Sequence, residues 1–167
     1  MQQAQTDGSR AVPAYLVCDA EALRKYGIGM VRPGGKGLAP FLADGYLTQA
    51  DTLGALATAL GIPPTALQAT VERFNQLAGS GTDTDFQRGV TAYQRNIGDP
   101  AWSGGNPCLG PLAQAPFYAV RLYPGDIGAA MGFATDGNAC ALDAEGRPIA
   151  GLYAVGNDMH SIMGGVY

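Results

Sequence analysis

The sequence predicts an α+β fold, with a first part that mixes a helical hairpin with strands and a last third built of β-strands. Three observations carry this. Apolar residues recur at helical spacing between Asp51 and Gly79. The run "PFYAVRLYP", Pro116 to Pro124, carries Phe117, Tyr118, Val120, Leu122 and Tyr123, the residue types of a strand. "CALDAEGRPI", Cys140 to Ile149, has two short arms around a turn at Ala144-Glu145-Gly146, as a hairpin requires. The 167 residues suffice for one domain, or for one domain and a piece of another. The change of pattern predicts a boundary near residue 125.

Taken in order, Ala14 to Val17 is a short apolar run that predicts a strand. Asp19 to Tyr26 predicts one or two helical turns, stopped at Gly27. "GIGMVRPGGKG", Gly27 to Gly37, predicts a mobile or substrate-facing loop. It is not a dinucleotide fingerprint, because the glycine spacing is wrong and Pro33 interrupts it. Asp51 or Thr52 is a fair N-cap for a helix lined by Leu53, Leu56, Ala57 and Leu60 and ended by Gly61. A second helix starts with Pro64 in its first turn and shows Leu67, Val71, Phe74 and Leu77 or Ala78 on one face. Gly79 is expected to stop it. The short "GIPP" link predicts that the two helices pack as a hairpin.

Gly79 to Leu112 has weak periodicity and is expected to be a long ordered loop, of the kind that binds or covers something. After the hairpin, "GLYAV" predicts a final buried strand, followed by a glycine-rich turn.

Composition narrows the function. Hydrophobic residues make up 47%, and 10 basic against 14 acidic residues give a net charge of −4. With no Lys or Arg run, no nucleic-acid surface is expected. No apolar run is long enough to span a bilayer, and Met1 to Arg10 has no apolar signal core. Cys18, Cys108 and Cys140 are too scattered for a disulfide framework or a metal knuckle. They predict free thiols in a reducing cytoplasm. The 25 glycines and 11 prolines imply many turns and long loops.

Several chemistries lack their residues. The single histidine, His160, adjoins Ser161, and adjacent residues seldom point at each other; no G-x-S-x-G elbow exists. No His–carboxylate cluster predicts a metal site, and no P-loop is present. Asp83 and Asp85 alternate like the start of a calcium loop, but the later ligands do not follow, so they read as turn chemistry. Asp126 in "PGDIG" reads the same way.

Three stretches in order carry a resemblance: "APFYAVRLYPGDIG", "GFATDGNACALDAEGRPIAGLYAVGND" and "SIMGGVY". They resemble the C-terminal part of the FAD-dependent fumarate reductase and succinate dehydrogenase flavoprotein superfamily. "DTLGALATALGIPPTALQATVERFN" and "GTDTDFQRG" are similar to the helical pair and following loop of that family's cap domain. The resemblance implies that residues 1–125 are a substrate or cap domain, N-terminally incomplete. Residues 126–167 would be the β segment that returns into a Rossmann-type FAD domain. It also implies a fragment: the family's dinucleotide fingerprint lies upstream and its Pro-Gly-x-Gly turn lies after the final tyrosine. The fragment by itself is then expected to be inactive and to bind FAD weakly or not at all.

Within the superfamily, "YPGDIG", "GLYAVGN" and "MGGVY" resemble the 3-ketosteroid dehydrogenases most. The dicarboxylate enzymes place a histidine after the "PG" and an arginine ten residues past the "GLYA" motif's acid. Here Gly128 and Ala129 stand at the first place and Tyr167 at the second. The resemblance implies that Tyr167 donates a hydrogen bond to a substrate ketone oxygen. It puts Gly156 and Asn157 on the ribityl and pyrophosphate side of FAD, and Ser161, Met163, Gly164 and Gly165 beside the ring. Taken alone, Gly156, Gly164 and Gly165 are also what a plain turn needs. The family's catalytic base is not placed by motif, and His160 reads as a surface or supporting residue. The implied function is FAD-dependent dehydrogenation of a C–C bond next to a ketone in a steroid-like small molecule. The alternatives are a fumarate reductase or succinate dehydrogenase-type flavoprotein, and a stand-alone cap-like binding module without redox activity. Association into a homo-oligomer through truncated surfaces is a further expectation.

Overall fold

The structure is a computed structural model and describes residues 12–125, 128 and 130–161. The chain divides into two units, Met1–Tyr123 and Pro124–Tyr167.

The first unit is organised by one strand. β1 (Ala14–Cys18), β2 (Leu47–Ala50) and β3 (Phe117–Leu122) form an antiparallel sheet in the order β1-β3-β2. Val120 lies opposite Leu16 on one side and Leu47 on the other. Side chains alternate across a strand, so β3 serves two cores. Tyr118 and Val120 join Cys18, Leu23, Ile28, Val31 and Leu47. Phe117 and Ala119 join Leu56, Ala57, Leu60, Leu67 and Val71. A sheet covered on both faces explains why Phe117 to Val120 are all buried.

The first core is closed by α1 (Ala20–Tyr26) and the segment after it. Asp19 caps α1, accepting from the Ala22 N–H at 2.8 Å, and its second oxygen accepts from Ala113 and Gln114 N–H at 2.9 and 3.1 Å. One buried carboxylate thus ties the helix start to the loop that enters β3. Ile28 and Val31 exchange backbone hydrogen bonds of 2.9 and 3.0 Å and are buried. Ile28 and Val31 of "GIGMVRPGGKG", expected to be a mobile or substrate-facing loop, thus belong to the core, while Gly29 and Met30 between them are exposed. The short α2 (Ala39–Ala43) follows, with Phe41 tilted against Tyr46.

The second core is the helical hairpin of α3 (Leu53–Leu60) and α4 (Pro64–Ser80). Thr52 is the N-cap of α3, its hydroxyl accepting from Ala55 N–H at 3.1 Å, and Gly61 ends that helix. The Tyr15 hydroxyl, from the sheet, donates to the Leu60 carbonyl at 3.0 Å. α4 runs past Gly79: the left-handed residue that ends it is Gly81, with φ +70°.

Gly81 to Pro116 contains a short helix, α5 (Ala92–Ile97), that the sequence reading leaves as loop. Polar side chains hold this stretch. The Asp83 carboxylate accepts from the N–H groups of Asp85, Phe86 and Arg88 and from the Arg88 guanidinium. Asn106 donates to the Gly81 and Arg88 carbonyls and accepts from Cys108 N–H. Asn75 exchanges two hydrogen bonds with the Leu112 backbone. Asp83 is turn chemistry, as its spacing predicts.

In the second unit, β4 (Cys140–Leu142) and β5 (Pro148–Tyr153) pair antiparallel. The turn between them is closed by Asp143, which exchanges backbone contacts with Gly146 and Arg147. The first three residues of the expected final strand "GLYAV" are the end of β5, and Ala154 and Val155 lie beyond it. All six residues of β5 are exposed, against the expectation of a buried strand. An apolar strand is buried only where a second layer covers it. Among the described residues, no helix is long and apolar enough to cross a membrane.

Candidate functional site

The candidate site is built where β5 ends. Ala154 is buried, and its N–H donates to the Ala139 carbonyl at 3.0 Å. Ala139 has φ +64°, a conformation supported by Asp136, whose Oδ1 accepts from Asn138 and Cys140 N–H at 2.9 Å each. The chain then leaves the hairpin through Val155 and turns tightly in a 3₁₀ helix, Gly156–Asp158. Gly156 has φ +62°, which L side chains rarely adopt. A Cβ built there would meet nothing within 4 Å, so the outside of the turn is open ground.

A second segment holds the turn from behind. Phe133 N–H donates to the Asp158 carbonyl at 2.9 Å, and His160 N–H donates to the Phe133 carbonyl at 2.8 Å. Ser161 N–H donates to the Ala130 carbonyl at 3.0 Å. Phe133 and Met159 form a parallel bridge, and Thr135 bridges Ala141 on the hairpin. Residues 130–135 therefore link the turn to the β4–β5 hairpin. In that hairpin the Arg147 backbone N–H, then its guanidinium, hold the Asp143 carboxyl below the usual carboxylate range.

Of the seven residues the sequence reading singles out, Gly156, Asn157 and Ser161 fall within this short stretch. Gly156 and Asn157 are exposed, and Ser161 is half-buried. Met163, Gly164, Gly165 and Tyr167 lie outside the described residues, as does Asp126. His160 is exposed, and the structure uses its backbone rather than its ring. Sequence reasoning misses the supporting segment. Its one legible signal is "TDGN", in which Asp136 makes the turn.

The exposed turn Gly156–Asp158 leaves room for a polar ligand to approach. Asn157 presents an amide, which can both donate and accept a hydrogen bond. The open left-handed glycine lets a ligand approach the backbone.

A family model described as "FAD binding domain" matches residues 1–167. The chain belongs to the FAD binding domain family. FAD is the cofactor of that family. The chain is 42% identical over 156 residues to a 3-oxosteroid 1-dehydrogenase of Mycobacterium tuberculosis, covering 93% of this chain and 28% of the relative. It is 46% identical over 149 residues to a 4-oxocyclohexanecarboxylate 2-dehydrogenase of Sinomonas cyclohexanicum, covering 89% of this chain and 25% of the relative. The fold matches the crystal structure of a 3-ketosteroid Δ1-dehydrogenase from Sterolibacterium denitrificans in complex with 1,4-androstadiene-3,17-dione. The TM-score is 0.85 at 38% identity, over 95% of this chain and 28% of that one. The chain thus spans little more than a quarter of the length of these relatives.

Proposed function

We propose that this chain is a segment of an FAD-dependent dehydrogenase that removes hydrogen from a C–C bond beside a ketone, of the 3-ketosteroid type. The observation that carries the reading is the likeness, along nearly the whole chain, to ketosteroid dehydrogenases in both sequence and fold. The two curated relatives are named for substrates that each carry an oxo group on a carbocycle, which supports a cyclic ketone as the substrate class. In this reading residues 1–125 are the substrate-side cap and residues 126–167 return the chain to the FAD domain.

The roles are those that the resemblance implies. Gly156 and Asn157 would meet the ribityl and pyrophosphate side of FAD, with Ser161, Met163, Gly164 and Gly165 bordering its ring. Tyr167 would donate a hydrogen bond to the ketone oxygen, stabilising the enolate-like charge as a proton leaves the neighbouring carbon. When bound, FAD supplies the acceptor for hydride from the next carbon. The absence of a cation at Gly128, Ala129 and Tyr167 weighs against a dicarboxylate substrate. The unpaired thiols of Cys18, Cys108 and Cys140 support a cytoplasmic setting. Phe133, Tyr153 and Val155, all exposed, support association through the second unit.

The test is a pair of dye-coupled assays of the flavin-loaded holoenzyme, with an oxidised dye as electron acceptor for the ketones and a reduced dye as electron donor for fumarate. Turnover with a 3-ketosteroid or a cyclohexanone carboxylate, and none with fumarate, is the expected outcome. Turnover of fumarate alone would reject the reading.

A further inference from the structure

Gly132 sits directly behind the turn. A Cβ there would fall inside contact distance of the Asp158 carbonyl oxygen, 2.7 Å from its carbon and 2.9 Å from the Met159 carbonyl carbon. All three are backbone atoms, so no side chain can swing aside to make room. The Gly132 backbone also lies between two anchors, the Ser161-to-Ala130 bond and the paired Phe133 bonds to Asp158 and His160. These bonds set how far residues 158–161 stand from the segment behind them, and the missing Cβ at Gly132 permits that distance.

We infer that Gly132 is a positioning residue for the flavin-facing turn: its lack of a side chain sets where Asn157 to Ser161 present themselves to FAD. This rests on the reading of that turn as flavin-facing. A methyl group at Gly132 must push the Asp158–Met159 backbone outward by several tenths of an ångström. Binding and catalytic constellations tolerate roughly 0.5 Å, and a misplacement of about 1 Å costs ~10²-fold. Gly137, in the same unit, is the control, because a Cβ there meets nothing within 4 Å.

The experiment compares the wild-type holoenzyme with Gly132→Ala and Gly137→Ala. Gly132→Ala is expected to raise the FAD Kd at least ~10-fold and to shift the visible flavin spectrum, with Gly137→Ala matching wild type. Should Gly132→Ala not fold, hydrogen exchange on the wild-type protein decides. The amides of Phe133, His160 and Ser161 are expected to gain protection together when FAD is added to apoprotein. A flavin-loaded wild type whose Gly132→Ala variant keeps the same Kd and spectrum overturns the positioning role alone. So does exchange at the three amides that FAD leaves unchanged. A full-length wild-type protein that binds no flavin overturns the flavin reading and this inference together.

Discussion

Phe117 and Tyr118 are neighbours on β3 and belong to different cores. Phe117 joins the helical hairpin, and Tyr118 joins Leu23, Ile28 and Leu47. The central strand of the first unit is therefore the wall between two hydrophobic clusters, and its burial makes both clusters depend on it.

The hairpin core should be sensitive to volume. Leu56 is 0% exposed, so Leu56→Ala should cost about 2–5 kcal/mol through lost transfer energy and a residual cavity. Leu16, on the edge strand β1 and 47% exposed, should lose much less on the same change. Urea unfolding of the two variants checks this, and equal losses would contradict the burial.

Two glycines test where α4 ends. Gly79 lies inside the helix, where a Cβ meets nothing within 4 Å, so Gly79→Ala should stabilise by about 0.5–1 kcal/mol. Gly81 is left-handed at φ +70°, so Gly81→Ala should destabilise by about 1–2 kcal/mol. Thermal unfolding reads both signs, and a reversal would return the helix end to Gly79.

Those two glycines also show what the sequence makes legible. The hairpin is readable because its signals are local: Thr52 as cap, Gly61 as stop, Pro64 in the first turn, and apolar residues at helical spacing. Which of two nearby glycines is left-handed is not local, and there the reading misplaces the stop. The stretch from Gly81 to Pro116 is illegible for a related reason. Asp83, Asn106 and Asn75 order it by bonding backbone groups, and several of those groups are far along the chain. Polar ordering of this kind leaves no hydrophobic period. β2 has only four residues, too few to show alternation. At the candidate site, β5 and the turn at Gly156 are visible in "GLYAVGND". The segment behind them is not, because Gly132 matters through a contact with Asp158 that only the fold creates.

Asp83 gives a pH dependence. The Arg88 guanidinium, with the N–H groups of Phe86, Arg88 and Asp85, holds its carboxyl at about 2. Lys25, the Tyr26 hydroxyl and Ala101 N–H hold Asp99 at about 2 as well. Both lie below the ordinary aspartate value near ~3.9, so the unfolded chain binds these protons more readily. Their stabilisation is complete above about pH 4 and is lost as pH falls toward about 2. Asp83→Asn should lower the Tm at neutral pH and flatten the acid limb of the stability curve. A variant with the wild-type acid limb would remove Asp83 from this role.

Tyr167 carries the mechanistic proposal. In the holoenzyme, Tyr167→Phe should lower turnover by ~10²–10³ if the hydroxyl donates to the developing oxyanion. Steady-state kinetics with a 3-ketosteroid measure this, and an unchanged kcat would take Tyr167 out of the reaction.

The most direct test of the central claim is a single anaerobic mixing experiment. Oxidised, flavin-loaded holoenzyme is mixed with a saturated 3-ketosteroid, and in parallel with succinate, while the visible flavin absorbance is followed. Ketone-dependent dehydrogenation predicts bleaching with the steroid and none with succinate. Bleaching by succinate with no response to the ketone would contradict it.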